Sequence, residues 1–100
     1  MRVIEKKIAF QGQRIAVRRD RVVDASGRET TREIVVHPGA VSIVAKLSSD
    51  EVLLIHQYRH ATGEELIEIP AGTLEKDENP IDAAHRELEE ETGYSAKQMD

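Results

Sequence analysis

The sequence predicts a small α/β protein of the α+β type, in which strands come first and one well-marked helix comes late. Three observations carry this prediction. Strand-like alternation fills residues 2–36, a nearly continuous apolar run occupies residues 40–47, and residues 80–92 show helix signals at both ends. A length of 100 residues limits the chain to one small domain.

Residues 1–36 are predicted to form an N-terminal antiparallel β segment. Residues 2–10 mix charged with apolar side chains and are compatible with a strand that Gly12 ends. Residues 14–23 alternate more regularly, Asp24 to Gly27 has the composition of a turn, and residues 30–36 are again rich in β-formers. Residues 14–36 are therefore expected to form a hairpin.

Three further strands are expected between residue 40 and the helix. The apolar run from Ala40 to Leu47 is typical of a strand buried on both faces. After a turn at residues 48–50, Val52 to Ile55 predicts another apolar strand. Residues 61–64 predict a loop, and residues 66–69 a short strand.

Residues 80–92 carry the signals of a capped helix. Asn79 is a good N-cap, and Pro80 suits the first helical position, where its missing N–H would have had no partner. Asp82 lies in the first turn, where the helix dipole favours it, and Gly93 is a natural stop. The helix is expected to begin at Pro80 and to end before Gly93.

The predicted helix has two different faces. One carries an apolar stripe that can pack on a sheet, formed by Ile81, Ala84 and Leu88. Glu87 and Glu91 project from another side, with Glu90 next to them. The sequence thus predicts a helix that buries one stripe and presents carboxylates on another.

The crowding of glutamates at residues 87–91 is unfavourable for a helix. Like charges three and four residues apart repel, and the C-terminal end of a helix favours cations. A divalent metal ion would offset both penalties, because hard cations such as Mg2+ bind carboxylate oxygens. From charge alone, a merely solvated acidic face is the more common explanation of such a run.

Composition excludes several classes of protein. The net charge is −5, and the basic residues between positions 2 and 32 alternate with apolar ones, which argues against a nucleic-acid-binding surface. No cysteine is present, so disulfides and thiolate chemistry are excluded. No stretch has the length of a signal-peptide core or a membrane span, so a soluble, cytoplasmic protein without a membrane partner is expected.

The segment from Gly72 to Tyr94 resembles the Nudix box, G-x5-E-x7-R-E-U-x-E-E-x-G-U, where U is a bulky apolar residue. Every defined position matches, although Tyr94 fills the last bulky position with an aromatic ring. The matching residues are Gly72, Glu78, Arg86, Glu87, Leu88, Glu90, Glu91, Gly93 and Tyr94. The resemblance implies a Nudix α/β/α sandwich with a mixed sheet, of which residues 37–100 form the N-terminal portion.

The resemblance also implies an activity and a cofactor. Nudix hydrolases cut a nucleoside diphosphate linked to another moiety, with Mg2+ or Mn2+ held by the box. By position, Glu87 and Glu91 resemble the main metal ligands, Glu90 an assisting one, and the carbonyl of Ala71 a further one. All three glutamates are expected to be catalytic.

Two further box residues resemble the pair that supports the loop and orients the carboxylates. These are Glu78 and Arg86, which are expected to contribute to catalysis through the metal ligands.

The flanks of the box resemble the ADP-ribose pyrophosphatase branch of the family. Gln57-Tyr58-Arg59 followed by the sequence E-I-P-A-G at residues 68–72 is similar to the pattern of that branch. The resemblance implies that Arg59 reaches the phosphates of the substrate. It also implies that residues 1–36 help to build a homodimer.

Together these features predict Mg2+-dependent hydrolysis of ADP-ribose to AMP and ribose 5-phosphate, or of a related nucleotide sugar. Two alternatives remain open: another substrate such as a dinucleoside polyphosphate, and a Nudix-fold module that binds nucleotides without hydrolysing them. In the ADP-ribose pyrophosphatase branch the general base is usually a glutamate in a later loop, and only Asp100 is acidic after Glu91. The chain is therefore expected to be the first half to two-thirds of a Nudix protein.

Overall fold

The computed structural model describes all of residues 1–100 and contains nine strands and one helix. The strands are β1 Arg2–Gln11, β2 Ala16–Val23, β3 Glu29–Val36, β4 Ala40–Ser42, β5 Lys46–Ser48, β6 Glu51–Val52, β7 Ile55–Arg59, β8 Glu64–Glu68 and β9 Ala71–Thr73. The helix, α1, is Pro80–Thr92. This strand-rich order with one late helix confirms the predicted fold class, and the chain divides into two compact units, Met1–Pro38 and Gly39–Asp100.

The first unit is a three-stranded antiparallel sheet in the order β1-β2-β3. The predicted hairpin is confirmed: β2 and β3 pair without a break from Val23↔Glu29 to Ala16↔Val36. Its turn is held by the Asp24 carboxylate, whose Oδ1 accepts hydrogen bonds from the backbone N–H groups of Ser26 and Arg28. Such bonding to nearby backbone is why Asp favours turns.

One face of the central strand β2 is buried and contains a charged residue. Ala16, Asp20 and Val22 are buried along it at every second or fourth position, as the two-residue repeat of a strand requires. The Asp20 carboxylate is matched by Arg18, whose Nε and Nη2 donate to it at 2.7 and 2.9 Å. The buried charge is thus paired, as burial of an ionised group demands.

The second unit contains three antiparallel strand pairs: β4 with β9, β5 with β6, and β7 with β8. The single buried strand predicted for residues 40–47 is wrong. That run forms β4 and β5, and Val44 between them is 69% exposed. The run changes partner there, because the Ile43 N–H donates to the Pro70 carbonyl, whereas the Ala45 carbonyl accepts from Leu53 N–H.

The strand predicted from Val52 to Ile55 is also interrupted. Val52 pairs with Lys46 and ends β6, while Ile55 pairs with Glu68 and begins β7. Residues 53–54 connect the two strands. In both places an apolar run passes between two different partners, which apolar composition alone does not reveal.

The helix begins and ends where the sequence predicts. The Asn79 side chain accepts a hydrogen bond from Ile81 N–H at 2.9 Å, and Pro80 takes the first helical position. Gly93 follows the helix in the left-handed conformation at φ 77°, and its N–H donates to the Glu89 carbonyl. That conformation is the usual reason for glycine at this position.

The predicted apolar stripe of the helix is partly wrong. Ala84 and Leu88 are buried as expected, and so is Ala83, but Ile81 is 48% exposed. Ile81 lines an apolar groove of about 830 Å³ between the helix and residues 41–47. The helix has 13 residues, and no helix of the chain is long and apolar enough to span a membrane.

Candidate active site

Apart from Arg59, the predicted site residues lie where β9, the following loop and the helix meet. Pro70 is fully buried and leads into β9, which pairs with β4 through Ser42↔Ala71 and Val41↔Gly72. The helix packs against β9 and β4. Its carboxylates at positions 87 and 91, one turn apart on one side, therefore reach the first residues of β9.

Gly72 is the position where the backbone and the Glu87 carboxylate come closest. A Cβ atom at residue 72 would collide with Cδ and both carboxylate oxygens of Glu87. The absence of a side chain at residue 72 thus makes room for the Glu87 carboxylate. Any larger residue would displace Glu87.

Glu91 lies beside Glu87 and has an unusual electrostatic environment. Burial raises the pKa of the Glu91 carboxyl, and the neighbouring Glu87 carboxylate raises it further. A hydrogen bond from Ala71 N–H to Glu91 Oε2, at 3.2 Å, acts against this rise, as does the charge of Arg59. Two carboxylates that repel at short range form a site that a cation would relieve.

Arg86 links four acidic side chains around the base of the site. Its Nε and Nη2 each donate to Glu78 at 2.9 Å, and its Nη1 donates to Glu87 Oε1 at 2.8 Å. The same Nη1 reaches Glu90 at 3.3 Å, and Glu75 lies 3.8 Å from Nε. The guanidinium thus connects the loop before the helix to the metal-ligand candidates of the helix.

Glu78 is strongly held as a carboxylate. Its hydrogen bonds from Arg86, together with one from the backbone N–H of Glu75 at 3.0 Å, lower its pKa to about 2. The hydrogen bonds of Arg86 with Glu78 and with Glu87 raise the pKa of Arg86. Hydrogen bonds to the charged form and a nearby opposite charge both act in this direction. Glu78 and Arg86 are therefore in the arrangement expected for a supporting pair.

Arg59 is held by Glu68 at the edge of the β7–β8 hairpin. The two N–H···O bonds, from Nε at 2.8 Å and from Nη2 at 2.6 Å, form a two-pronged ion pair. These hydrogen bonds raise the pKa of Arg59 and lower that of Glu68, and Glu91 contributes to the rise on Arg59. Arg59 therefore lies within electrostatic reach of the carboxylate pair.

The structure brings most of the predicted residues together, with two differences of detail. Ala71 contacts Glu91 through its N–H, and no contact of its carbonyl with the site is seen. Glu90 is exposed and contacts the site only through Arg86. The sequence analysis gave no role to Glu68. Arg59 is paired with Glu64 across the hairpin, and Glu68 lies four residues further along β8, so side-chain alternation puts Arg59 and Glu68 on the same face.

The oxygen ligands that the site offers are of the kind that a hard divalent cation binds. Glu87 and Glu91 supply adjacent, partly buried carboxylates, which are the ligands that Mg2+ and Mn2+ prefer. No three His, Cys, Asp or Glu side chains are arranged around one point as ligands. Oxygens of Glu87 and Glu90 are instead turned toward Arg86.

Comparison with known families and structures agrees with this fold. The NUDIX domain family matches residues 36–100, and the chain belongs to the Nudix family. A solved structure described as an ADP compounds hydrolase superimposes with a TM-score of 0.80 at 24% identity, covering 96% of this chain and 52% of the other. This likeness confirms the predicted Nudix fold.

Three curated relatives align along nearly the whole chain. The ADP-ribose pyrophosphatase of Bacillus subtilis is 42% identical over 98% of this chain, and that of Mycobacterium tuberculosis is 43% identical over 93%. The methanol dehydrogenase activator of Bacillus methanolicus is 41% identical over 99%. The chain spans about half the length of these relatives: 53%, 45% and 54%, respectively.

Proposed function

We propose that the protein carrying this chain is a divalent-metal-dependent Nudix hydrolase that cleaves the pyrophosphate of ADP-ribose to AMP and ribose 5-phosphate. The observation that carries the proposal is the Glu87–Glu91 pair, held beside Gly72 and braced by Arg86. Two relatives above 40% identity named ADP-ribose pyrophosphatase support this choice of substrate.

Glu87 and Glu91 would hold the metal, which we propose to be Mg2+ or Mn2+, with Glu90 and the Ala71 carbonyl as additional candidate ligands. When bound there, such a cation neutralises charge on the pyrophosphate and activates water as the nucleophile. Arg86 has a different task. By bonding Glu78 on one side and Glu87 on the other, it fixes the Glu87 carboxylate before any ligand arrives.

Arg59 would bind a phosphate of the substrate. Its guanidinium lies close enough to the carboxylate pair to influence Glu91, and planar guanidinium groups match phosphate oxygens in pairs. The positive charge of Arg59 also reduces the repulsion between a dianionic pyrophosphate and the acidic helix. Glu89, whose side chain is exposed, has no role in the proposed mechanism.

A homodimer is the partner arrangement we propose, with the N-terminal sheet as its contact. The edge strand β1 is ten residues long and exposed throughout, and Ile8 and Phe10 on it are 50% and 57% exposed. Long exposed edges with apolar side chains are prone to pair with another chain. Neither nucleic acid nor membrane is proposed as a partner, and a cytoplasmic location is expected.

A different substrate is the second candidate, and one observation favours keeping it. A relative of nearly equal identity is named a methanol dehydrogenase activator, so likeness at this level does not single out ADP-ribose. A substrate panel separates the possibilities: ADP-ribose, other nucleotide sugars and diadenosine polyphosphates, each with Mg2+ or Mn2+, with products identified by chromatography. We expect AMP and ribose 5-phosphate from ADP-ribose at the highest kcat/KM.

Two other outcomes of the panel would redirect the proposal. A preference for a dinucleoside polyphosphate would keep the hydrolase and change its substrate. Tight nucleotide binding with no turnover on any member would favour a sensing module and overturn the enzyme.

A further inference from the structure

The hairpin of β7 and β8 contains an ion pair that its register does not dictate. Arg59 lies directly across from Glu64, whereas Glu68 lies across from Ile55 at the other end. Even so, Arg59 donates from Nε and Nη2 to the two carboxylate oxygens of Glu68. The arginine side chain therefore runs back along the hairpin instead of pairing with the carboxylate directly opposite.

The end of the hairpin to which Glu68 draws Arg59 leads into the site. Glu68 is followed by Ile69, the fully buried Pro70 and then Ala71, whose N–H donates to Glu91. Glu68 itself is mostly buried, with 22% of its side chain exposed, so its position is well defined. Pairing with Glu64 would instead leave the guanidinium at the turn, four residues further from this junction.

We propose that Glu68 is a positioning residue for substrate binding, which holds Nε and Nη2 of Arg59 so that the remaining N–H groups bind a phosphate of the pyrophosphate. This inference rests on the proposed function, in which Arg59 is a phosphate ligand. A guanidinium has five N–H donors, and the pair with Glu68 uses two of them. Both N–H groups of Nη1 stay available for the substrate.

Two opposing effects decide what Glu68 contributes. Its negative charge reduces the attraction of Arg59 for phosphate, which would weaken binding. Its two hydrogen bonds immobilise a long side chain in advance, which removes an ordering cost from binding. In the proposal the second effect is larger, so loss of the Glu68 charge must weaken phosphate binding. If Glu68 only competed with phosphate for Arg59, loss of its charge would tighten phosphate binding. The sign of the change in affinity therefore separates the two effects.

The test is a double-mutant cycle on the full protein. Affinity for inorganic pyrophosphate in the presence of Mg2+ is measured by calorimetry for wild type, Glu68→Gln, Arg59→Ala and the double variant, and KM and kcat are measured with ADP-ribose. We expect Glu68→Gln to weaken pyrophosphate binding and raise KM by about tenfold, the size of one charged hydrogen bond, with kcat nearly unchanged. In the Arg59→Ala background it should have no further effect.

Two more variants sharpen the result. Glu64→Gln removes the same charge from the position directly opposite Arg59 and should leave KM unchanged. Glu68→Asp keeps the negative charge but draws the carboxylate back from Nε and Nη2 of Arg59, and should also weaken pyrophosphate binding. This second variant carries the test if Glu68→Gln does not fold, which circular dichroism will reveal.

Several outcomes would overturn the inference: equal or tighter pyrophosphate binding by Glu68→Gln, an undiminished effect in the Arg59→Ala background, or an equal effect of Glu64→Gln. An Arg59→Ala variant that binds normally would remove both the inference and the role given to Arg59. By contrast, the wild-type protein could fail to hydrolyse ADP-ribose while the pyrophosphate affinities of the four proteins follow the expected cycle. That result would contradict only the proposed function.

Discussion

Gly72 shows how a single residue without a side chain fixes the candidate site. Replacing it by alanine puts a methyl group into the Glu87 carboxylate, so Glu87 must move. We expect Gly72→Ala to lower kcat/KM for ADP-ribose by about 100-fold, since a small misplacement of a catalytic group has this effect. Gly63→Ala adds the same methyl group in an open turn, where a φ of +68° strains the backbone but no atom of the site is touched, and it serves as the control for a general loss of stability. Equal activity of both variants would contradict the role of Gly72.

We expect the ionised Glu91 carboxylate to destabilise the folded protein when no metal is bound. Burial and Glu87 raise its pKa above the ordinary 4.5, so the folded state holds this proton more tightly than the unfolded chain does. The contribution of Glu91 to stability therefore falls as the pH rises from about 4.5 through the raised pKa, and stays lost at neutral pH. Glu91→Gln should raise the thermal unfolding midpoint at pH 7 with a chelator present.

The matched control for that measurement is Glu89→Gln, which removes the same charge from an exposed neighbouring position of the helix. If the thermal unfolding midpoint of Glu91→Gln is at or below that of Glu89→Gln, the Glu91 carboxylate does not destabilise the folded protein.

Glu78 is expected to give the opposite dependence on pH. Its folded pKa of about 2 lies below the ordinary 4.5, so its stabilising contribution is present above pH 4.5 and is lost between pH 4.5 and 2. Urea unfolding at pH 5 and pH 3 should show a smaller loss of unfolding free energy in Glu78→Gln than in wild type. An equal loss in both proteins would mean that the Arg86 pair does not hold Glu78 ionised.

At the level of residues, the box spacing predicted which side chains meet but not how they meet. The Glu87–Glu91 neighbourhood follows from the spacing of residues along one helix, and the Arg86–Glu78 pair was implied by the resemblance to the Nudix box. The pairing of Arg59 with Glu68 depends on which rotamer a long side chain adopts across a hairpin, and nothing local in the sequence decides that.

At the level of elements, the helix was predictable because its signals are local. Asn79 caps the helix through its own side chain, so Asn79→Ala should lower the free energy of unfolding by about 1 kcal/mol. Asn79→Asp keeps an acceptor at the same position and should remain close to wild type. Denaturant titration of both variants checks this, and a harmless Asn79→Ala would contradict the capping role.

The strands of the second unit were less predictable, because their boundaries are set by partners distant in sequence. Residues 40–47 look like one strand, yet their hydrogen bonds pass from residues 70–73 to residues 51–53 within the run. The face of the helix was partly mispredicted for a related reason. Ile81 lies on the expected stripe but faces an open groove, and Ala83 is small enough to be buried beside the stripe.

At the level of the whole molecule, the exposed edge of the N-terminal sheet bears on assembly. If β1 contributes to a homodimer, Phe10→Lys should shift the protein from dimer to monomer in sedimentation velocity, because a charge would be buried without a partner. Gln13→Lys adds the same charge at the exposed turn before β2 and should remain dimeric. A monomeric wild type, or a dimeric Phe10→Lys, would contradict the proposed contact.

The central proposal is that the carboxylate pair of the helix holds a divalent cation for pyrophosphate hydrolysis. It is tested by the rate of AMP release from ADP-ribose by wild type, Glu91→Gln and Glu89→Gln, each with a chelator and again after Mg2+ is restored. We expect metal-dependent release by wild type and Glu89→Gln, and a loss of about 100-fold or more in Glu91→Gln. Release that survives chelation, or that Glu91→Gln retains at the wild-type rate, would contradict the proposal.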